Sequence, residues 1–340
     1  MSQAKFAYTT RRLAVAGLIE LFDDQAPRAG DVVLARVQEI GQHKRLELRD
    51  GRRATLFPGD EIVVCYGTRY APDQFEGKVP GDLGPCELVA AGGIAAEVLQ
   101  RHANMEEATR IAPIGLLGTG SGRPANLRDY AIDPPPAILR RPPTLAVVGS
   151  AMNAGKTTAA ANLIRGLCAR GLRVGAAKVT GTGAGGDVWL MKDAGADPVV
   201  DFTDAGFSST YGVMPSEIER ILLTLSRHLA AAGAEVIVLE TADGMFQAET
   251  VALLGTRSLA ANVDAVVFAA RDALGAAAGA RALGELGLRV VAVSGVLTAS
   301  PLAMREAHMA TGLPVLDLEA LRNPAQGGAL LATEVEALAV

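Results

Sequence analysis

The residues best suited to chemistry follow a short apolar run that begins at Thr144. After this run the chain reads SAMNAGKTT from Ser150 to Thr158, and an alanine-rich stretch comes next. A buried strand, a loop of small residues and a helix start present successive backbone N–H groups to an anion, and the helix dipole favours negative charge at the same point. In such a loop Lys156 reaches the β and γ phosphates of a nucleotide, and the Thr157 hydroxyl ligates Mg²⁺. The sequence therefore predicts a phosphate-binding loop.

The spacing of the glycines in this loop differs from the most familiar pattern. In G-x-x-x-x-G-K-[ST] the first glycine would fall at position 150, but Ser150 is there and Gly149 lies one residue earlier. An ordinary glycine-containing turn between a strand and a helix, with an accidental Gly-Lys-Thr, is the alternative interpretation. On the functional interpretation, the nucleotide-binding residues of the loop are Ser150, Asn153, Ala154, Gly155, Lys156, Thr157 and Thr158.

A second set of donors follows the next apolar run. Lys178 stands at the end of LRVGAAKV, and Thr180, Gly181, Thr182 and Gly183 come shortly after it. A lysine at the end of a buried strand, with hydroxyl and amide donors beside it, suits an anion at the edge of a sheet. We therefore predict a catalytic role for Lys178 and a nucleotide contact for Thr180. A solvated lysine at a strand end is the alternative.

Three carboxylates could bind a metal or transfer a proton. Asp187 precedes VWLMKDAG, and Glu240 ends the apolar run VIVLE, where a charge is costly unless it is paired. Because Mg²⁺ usually takes one or two carboxylates together with phosphate oxygens, Thr157, Asp187 and Glu240 form the predicted metal site. Asp187 as a helix N-cap is the alternative. Asp243, counted here with the catalytic residues, is a general base, a second metal ligand or an Asx-turn residue before Gly244.

The elements that must position these residues alternate along the second half of the chain. Runs short and apolar enough for strands are TLAVVGS, LRVGAAKV, AEVIVLE, DAVVFAA, LRVVAVSGV and LPVLDL, and helical patterns cover 156–170, 216–232, 272–286 and 301–311. This alternation predicts a mostly parallel sheet with helices on both faces, and ligands of such folds bind at the carboxyl ends of the strands. The expected fold class is α/β, with a mostly parallel P-loop domain over 144–340 preceded by a smaller, β-rich α+β domain.

The first part of the chain, residues 1–135, consists of short runs rich in β-forming residues between glycine and proline turns. This spacing predicts a small twisted sheet or partial barrel. Asp50-Gly51 predicts a hairpin, and CELVAAGGIAAEVLQRH predicts a strand, a turn at Gly92-Gly93 and an amphipathic helix. Because DPPPAILRRPP contains three consecutive prolines, which continue neither a helix nor a central strand, 136–143 is the predicted linker.

Two stretches of this first domain could be functional. GTGSG, from Gly118 to Gly122, could bind phosphate, although a glycine cluster between strands can be just a turn. YGTRYAPDQFEG, which holds Tyr66, Arg69, Tyr70 and Phe75, could be a substrate lid or a dimer contact, with an exposed loop as the favoured interpretation. We expect the domain to serve substrate binding or dimerisation.

The composition excludes several classes of protein. With 340 residues, a net charge of −5 and 20% charged residues, the chain is neither a disordered protein nor a general nucleic-acid binder. No apolar run approaches the length that spans a bilayer, so we expect a cytoplasmic protein without a membrane or nucleic-acid partner. Cys65, Cys86 and Cys168 lack CxxC spacing, which fits a reducing compartment.

The motifs resemble those of dethiobiotin synthetases and of amidotransferase-type cobyrinate enzymes. The loop G-SAMNA-GKT is similar to theirs, KVTGTG resembles Lys-Pro-Val-x-Ser/Thr-Gly with Val179 in place of proline, and ETADG resembles Glu-Gly-Ala-Gly-Gly with Thr241 and Asp243 in place of glycines. The resemblance covers roughly residues 144–320 and implies that Asp187 holds the metal. The guanine-reading pattern N/T-K-x-D is absent from VAVSGVLTASP, which favours adenine, bound through Ser294, Gly295 or Thr298.

The sequence thus favours an ATP- and Mg²⁺-dependent ligase or synthetase for a small metabolite bearing an amine or a carboxylate. We expect a homodimer or a higher homo-oligomer. The two-domain layout also resembles a bacterial P-loop family assigned to acyl transfer on D-glutamate, so an acyltransferase is one alternative. A nucleotide-gated switch or metallochaperone NTPase is another. Such proteins often place a second lysine in the loop, where this chain has Ala151 and Met152.

Overall fold

A computed structural model describes residues 4–133, 135–136 and 141–331. The chain forms two compact units. The first consists of the described residues up to Ile132 together with Gly181–Gly186 and Phe202–Val213, and the second consists of the remaining described residues. The predicted division at 135 and 144 did not anticipate that two later segments belong to the first unit. Half of the predicted linker 136–143, residues 137–140, lies outside the described residues.

The first unit is built from β-strands, as its sequence predicted. The strands are β1 (Lys5–Phe6), β2 (Glu20–Phe22), β3 (Val32–Glu39), β4 (Arg45–Glu47), β5 (Arg53–Thr55), β6 (Glu61–Tyr66), β7 (Arg69–Tyr70), β8 (Phe75–Lys78), β9 (Cys86–Ala90), β10 (Ile94–Arg101) and β11 (Thr109–Gly118). Among the described residues, β6, β3, β11, β9 and β10 close into a ring, because β10 pairs with β6 as well as with β9. The inside of this partial barrel is apolar and includes Tyr66, Leu88 and Ile111, none of which is exposed.

The predicted hairpin and the predicted helix of this unit have different outcomes. β4 and β5 pair in antiparallel fashion across the Asp50-Gly51 turn, and Gly51 has a φ of 86°, so the hairpin is confirmed. The prediction of an amphipathic helix after Gly92-Gly93 is wrong, because Ile94–Arg101 is strand β10. Its first residues pair with both β6 and β9, and these sheet contacts outweigh the helical propensity of the alanines.

The two stretches that could have been functional are structural parts of the first unit. Tyr66 and Phe75 have no exposed surface and Arg69 is buried, so the interpretation of this stretch as an exposed loop is wrong. In the glycine cluster, the backbone N–H of Gly120 donates a 2.9 Å hydrogen bond to a carboxylate oxygen of Glu20. An acid at this turn disfavours a phosphate there.

The second unit is an α/β layer structure with a parallel sheet. Its strands are β12 (Thr144–Gly149), β13 (Val174–Thr180), β14 (Val199–Asp201), β15 (Val236–Thr241), β16 (Ala265–Ala269) and β17 (Val290–Ser294). Within the described part of the chain these strands lie in the order β14, β13, β15, β12, β16, β17, and every neighbouring pair is parallel. Its helices are α1 (Lys156–Ala169), α2 (Gly186–Asp193), α3 (Pro215–Ala231), α4 (Ala248–Leu254), α5 (Arg257–Asn262), α6 (Ala273–Glu285), α7 (Pro301–Thr311), α8 (Leu318–Arg322) and α9 (Pro324–Leu331). Short 3₁₀ turns cover Tyr8–Thr10, Val15–Gly17, Leu127–Tyr130 and Val296–Ala299.

The helices predicted from periodicity agree with α1, α3, α6 and α7 to within a residue or so at each end. Pro215 and Pro301 stand in the first turn of α3 and α7, where a missing N–H costs nothing, and the Ser300 side chain caps α7. The prediction of a last strand at LPVLDL is wrong. Only Val315 forms a bridge, to Val293 of β17. No helix among the described residues has both the length and the apolar character that crossing a bilayer requires.

Candidate functional site

The loop between β12 and α1 has the conformation that its small residues allow. It contains two positive φ angles, 60° at Asn153 and 92° at Gly155, the residue before the first helical residue. Asparagine and glycine are the residue types that adopt this region most easily. The backbone N–H of Ser150 donates to the carbonyl of Ala269, at 2.9 Å, and this bond fixes the start of the loop against the neighbouring strand β16.

Lys156 lies along the inner side of this loop. A Cβ atom at Gly149 would lie 2.7 Å from its Cγ, so glycine at that position leaves room for the lysine stem. The Lys156 amine donates to the carbonyl oxygen of Ala151, at 2.8 Å, and to that of Asp243. Burial lowers the pKa of Lys156, and the negative charges of Glu240 and Asp243 act against that shift. The predicted phosphate-binding lysine is therefore a buried cation held by main-chain oxygens.

Thr157 connects the start of α1 to the end of β15. Its hydroxyl donates to Oε1 of Glu240 at 2.8 Å. Glu240 is 1% exposed, and its other oxygen, Oε2, has no hydrogen-bond partner among the described residues. Burial, together with the nearby carboxylate of Asp187, raises the pKa of Glu240 to about 7, although Lys178 and the Thr157 hydroxyl act in the other direction. A buried carboxylate oxygen without a partner is costly, so a ligand at this point is expected.

Lys178 and Asp187 form an ion pair beside Glu240. Lys178 of β13 lies directly across from Glu240 of β15 in the parallel register, and its amine donates to Oδ2 of Asp187 in the first turn of α2. Burial alone would lower the pKa of Lys178, but the carboxylates of Asp187 and Glu240 together raise it above its ordinary value. Burial alone would raise the pKa of Asp187, but the positive charge of Lys178 and its hydrogen bond to Asp187 lower it. The Asp187 carboxylate thus faces the other charged side chains of the site.

Two further predicted residues contact the loop that follows β15. The Thr180 hydroxyl donates to the carbonyl oxygen of Ala242 at 3.3 Å, so its donor is directed to the main chain. Asp243 is a buried residue with a φ of 63°, and its carbonyl oxygen is one of the two acceptors of the Lys156 amine. Its main-chain contact with Lys156 places Asp243 next to the phosphate loop.

The remaining predicted nucleotide contacts are distributed over the loop and the first turn of α1. Ala154 is buried and its carbonyl oxygen accepts from the N–H of Val296 at 3.0 Å. Asn153 and Thr158 are exposed, and Ser150 and Gly155 are partly exposed. The structure therefore brings together at one end of the sheet the side chains of Lys156, Thr157, Lys178, Asp187 and Glu240.

The described residues contain no group of three or more His, Cys, Asp or Glu side chains that could hold a metal ion. This result concerns sites that are built from three or more such side chains. It does not disfavour Mg²⁺, which commonly takes one or two carboxylates and receives its other ligands from phosphate and water. Thr157, Asp187 and Glu240 supply hard oxygen atoms of that kind, and the partnerless Glu240 Oε2 fits such an ion.

A pocket beside the phosphate loop was not foreseen as such from the sequence. It has a volume of about 500 Å³, and it is lined by Gly155, Thr158, Gly295, Val296, Thr298, Ala299, Asp317, Leu318 and Glu319. Gly295 and Thr298 were predicted near a nucleobase, but Asp317, Leu318 and Glu319 were not. Asp317 caps α8 and follows β17 only after α7, so no local pattern at β17 marks this second side of the pocket.

A comparison with protein-family models gives no match, and a comparison with curated proteins gives none either. Solved structures give weak similarity. The 54 kDa protein of the signal recognition particle from Aeropyrum pernix K1, in complex with GDP, is 19% identical, with a TM-score of 0.39, over 60% of this chain and 49% of that chain. The cell division protein FtsY of Thermotoga maritima is 16% identical, with a TM-score of 0.37, over 61% of this chain and 75% of that chain.

The signal recognition particle receptor FtsY of Elizabethkingia anophelis is 15% identical, with a TM-score of 0.33, over 63% of this chain and 67% of that chain. This chain thus spans about half the length of the signal recognition particle protein that it matches. At such identities and TM-scores, nothing about the activity of this chain follows from these structures. The resemblance to dethiobiotin synthetases receives no support from the comparisons.

Proposed function

We propose that this chain binds a nucleoside triphosphate with Mg²⁺ and transfers its terminal phosphoryl group. One observation carries the proposal. Thr157, Lys178 and Glu240 come from α1, β13 and β15 and converge beside the phosphate loop, with Oε2 of Glu240 buried and without a partner in the described residues. A structural role alone would not require a buried, partnerless carboxylate oxygen next to a lysine that is also buried.

The side chains have distinct roles in this proposal. The backbone N–H groups of the loop and the Lys156 amine bind the phosphates, because both offer donors and positive charge. Thr157, Asp187 and Glu240 would hold Mg²⁺, which when bound neutralises charge on the phosphate oxygens. Lys178 keeps the two carboxylates close to each other by compensating their charge. Phosphoryl transfer depends mainly on such positioning and charge compensation.

The acceptor of the phosphoryl group is, in this proposal, a small molecule with a carboxylate or a carbamate. Its oxygen attacks the γ phosphorus, and the bond to the leaving diphosphate breaks. A nucleophile then attacks the carbonyl carbon of the acyl phosphate, loses its proton and displaces inorganic phosphate. This is the ligase or synthetase chemistry that the sequence favoured. It needs no enzyme nucleophile, because the substrate oxygen attacks the γ phosphorus directly. Dimerisation, also expected from the sequence, stays a prediction.

A nucleotide-gated switch is a second candidate, which one contact favours. The Lys156 amine bonds to the carbonyl oxygen of Asp243, so the phosphate loop and the loop after β15 share a hydrogen bond. A phosphate that draws the lysine toward itself would break that bond and free the second loop. Phe246 in this loop is 77% exposed, which would suit contact with a partner protein.

Product analysis with the purified full-length chain tests the proposal. For the synthetase, nucleoside diphosphate should form only when a small carboxylate or amine is added to the triphosphate and Mg²⁺. For the switch, slow hydrolysis should occur without a co-substrate. Both activities should disappear in Lys156→Ala and persist in Glu306→Gln, a change at an exposed residue of α7. A chain that neither binds nor turns over any nucleotide would overturn both.

A further inference from the structure

The pocket beside the phosphate loop is held in shape by two segments that are fixed to the same strand. The segment after β17 bends back toward the loop: the N–H of Val296 donates to the carbonyl of Ala154, and a Cβ at Gly295 would lie 2.4 Å from that same oxygen. Gly295 also has a φ of 100°. A residue with a side chain would therefore not fit there, and the close approach of the two loops depends on glycine.

The other side of the pocket is fixed by residues that precede α8. The N–H of Leu316 donates to the carbonyl of Val293 at 2.8 Å, and the Ser294 hydroxyl donates to the carbonyl of Leu316 at 2.7 Å. Ser294, predicted to touch a base, thus has a structural role that fixes the chain just before Asp317. The two walls of the pocket do not depend on a ligand for their positions.

The pocket has a lining and a volume that suit a heteroaromatic ring. Val296, Ala299 and Leu318 give it apolar surface, and its volume of about 500 Å³ falls within the usual range for small-molecule sites. It also includes Gly155 and Thr158, which belong to the phosphate loop and the first turn of α1. A nucleotide with its phosphates on this loop would therefore have its base close to this pocket.

The polar part of the pocket is acidic. Asp317 accepts a 2.8 Å hydrogen bond from the N–H of Ala320 through Oδ1, and this cap fixes the side chain at the start of α8. Because one oxygen is fixed by the cap, the second oxygen, Oδ2, has a defined position. Glu319 is exposed at the same pocket. The pocket therefore offers carboxylate oxygens, which only accept hydrogen bonds, to whatever it binds.

Guanine and adenine differ in what they offer to such an acceptor. Guanine presents two adjacent donors, the N1–H and the 2-amino group, which one carboxylate can accept together. Adenine presents a donor at its 6-amino group but an acceptor at N1 beside it, so a carboxylate can accept one hydrogen bond from adenine while its other oxygen is repelled by N1. A polar side chain placed to pair with one of these rings binds the other ring much more weakly, because the mismatch leaves buried polar groups without hydrogen bonds.

We propose that Asp317, assisted by Glu319, selects guanine over adenine at this pocket. The inference rests on the proposed function, since it assumes a nucleotide on the phosphate loop, and it replaces the preference for adenine that the missing N/T-K-x-D pattern suggested. In this chain the acid that reads the base comes from the segment before α8 rather than from the loop after β17. Asp317 follows β17 only after α7, so it is not part of a local pattern at the end of β17.

Isothermal titration calorimetry of the full-length chain with GDP, ADP and XDP, each with Mg²⁺, tests the proposal. The wild type should bind GDP about tenfold to hundredfold more tightly than ADP, the range expected for one well-placed bidentate pair. Asp317→Asn should lose most of that preference. Asparagine keeps the helix cap, because it caps as well as aspartate, but it turns a donor toward the ring.

A gain of binding makes this test independent of folding defects. Xanthine carries a carbonyl oxygen where guanine carries the 2-amino group, so Asp317→Asn should bind XDP about tenfold or more tightly than the wild type does. Glu319→Gln should reduce the GDP preference by a smaller factor, because that side chain is exposed. Glu285→Gln removes an exposed carboxylate of α6 that does not line the pocket, and it should change nothing.

The outcomes separate this proposal from the proposed function. Equal affinity for GDP and ADP, tighter binding of ADP, or an Asp317→Asn variant without any gain for XDP would overturn the role of Asp317 while leaving nucleotide binding intact. Absence of binding for all three nucleotides would overturn the proposed function and this inference with it. Binding that survives Lys156→Ala unchanged would place the nucleotide elsewhere and overturn both.

Discussion

The Thr157 hydroxyl donates a 2.8 Å hydrogen bond to Oε1 of Glu240, and this bond joins the first turn of α1 to the end of β15. Thr157 is partly exposed and Glu240 is buried, so the pair reaches from the phosphate loop into the sheet. The second oxygen of Glu240 is buried and has no hydrogen-bond partner in the described part of the chain.

Lys156→Ala should reduce nucleotide affinity or turnover by about a hundredfold or more, in line with the loss of a charged donor at a phosphoryl site. Its effect on unfolding should be small, because removal of the amine also removes the cost of burying a charge. Calorimetric nucleotide binding and denaturant unfolding measure the two effects. A variant that fails to fold would instead show that the contacts of the lysine with Ala151 and Asp243 are structural.

Glu240→Gln should raise the Mg²⁺ concentration needed for half-maximal nucleotide binding by about tenfold to hundredfold. Glutamine keeps an oxygen that can accept from Thr157, but it replaces a negative oxygen with an amide nitrogen. The measurement is a Mg²⁺ titration at fixed nucleotide. Glu306→Gln, on the exposed surface of α7, is the matched control and should leave the titration unchanged. An unchanged Mg²⁺ requirement in Glu240→Gln would remove Glu240 from the metal site.

Lys178→Met should destabilise the second unit more than Asp187→Asn does. Without Lys178, the carboxylates of Asp187 and Glu240 lose the cation that hydrogen-bonds to Asp187, and such a loss from a buried pair costs about 3 kcal/mol of unfolding free energy or more. Without the Asp187 charge, Lys178 still has Glu240 opposite it in the register. Denaturant unfolding of both variants and of Lys192→Met, an exposed lysine of α2, checks the order. Equal losses would mean that Glu240 does not compensate Lys178.

Gly295→Ala should reduce stability and nucleotide affinity more than Gly287→Ala does. Both glycines have positive φ angles, 100° and 76°, so both substitutions carry backbone strain. A Cβ at Gly295 would lie 2.4 Å from the carbonyl oxygen of Ala154, whereas a Cβ at Gly287 would meet no atom within 4 Å. The additional loss of stability and of nucleotide affinity in Gly295→Ala measures the contact between the two loops. Similar values for the two variants would contradict that contact.

The first unit should lose stability in mild acid because of His43. Burial, with a contribution from the positive charge of Arg69, lowers the pKa of His43 from 6.5 to about 4, and its Nδ1 has no partner among the described residues. The unfolded chain therefore binds more protons than the folded chain between these two pH values. Stability should be complete above about pH 6.5 and should fall as the pH decreases toward 4, by up to about 3 kcal/mol.

Unfolding of the wild type and of His43→Leu at several pH values between 4 and 7 measures this effect. The variant cannot bind the proton, so its stability should change less steeply with pH over the same window. A slope that is identical in both proteins would show that other groups cause the acid sensitivity.

Much of the second unit could be predicted from the sequence, because its signals are local. Helix periodicity and caps defined α1, α3, α6 and α7, and the small residues before Lys156 predicted the loop. The carboxyl ends of the strands of a parallel sheet lie at one edge. Because Lys178 and Glu240 end apolar runs, the sequence predicted them at the same edge as the phosphate loop. The first unit was less predictable: the alanines of β10 favour a helix by propensity, and only pairing with β6 and β9 made them a strand.

The sequence by itself determined that a phosphate loop, a lysine and a glutamate at strand ends and an aspartate at a helix start would occur in the second half of the chain, since these are properties of residue type and spacing. Only the tertiary structure decided how their charges are shared. Lys178 pairs with Asp187 between β13 and α2, Thr157 bonds to Glu240 far along the chain, and Asp317 reaches the pocket next to Gly155. Oε2 of Glu240 is buried without a partner among the described residues. Such contacts depend on strand order and on the burial that packing produces, and neither is written in local sequence.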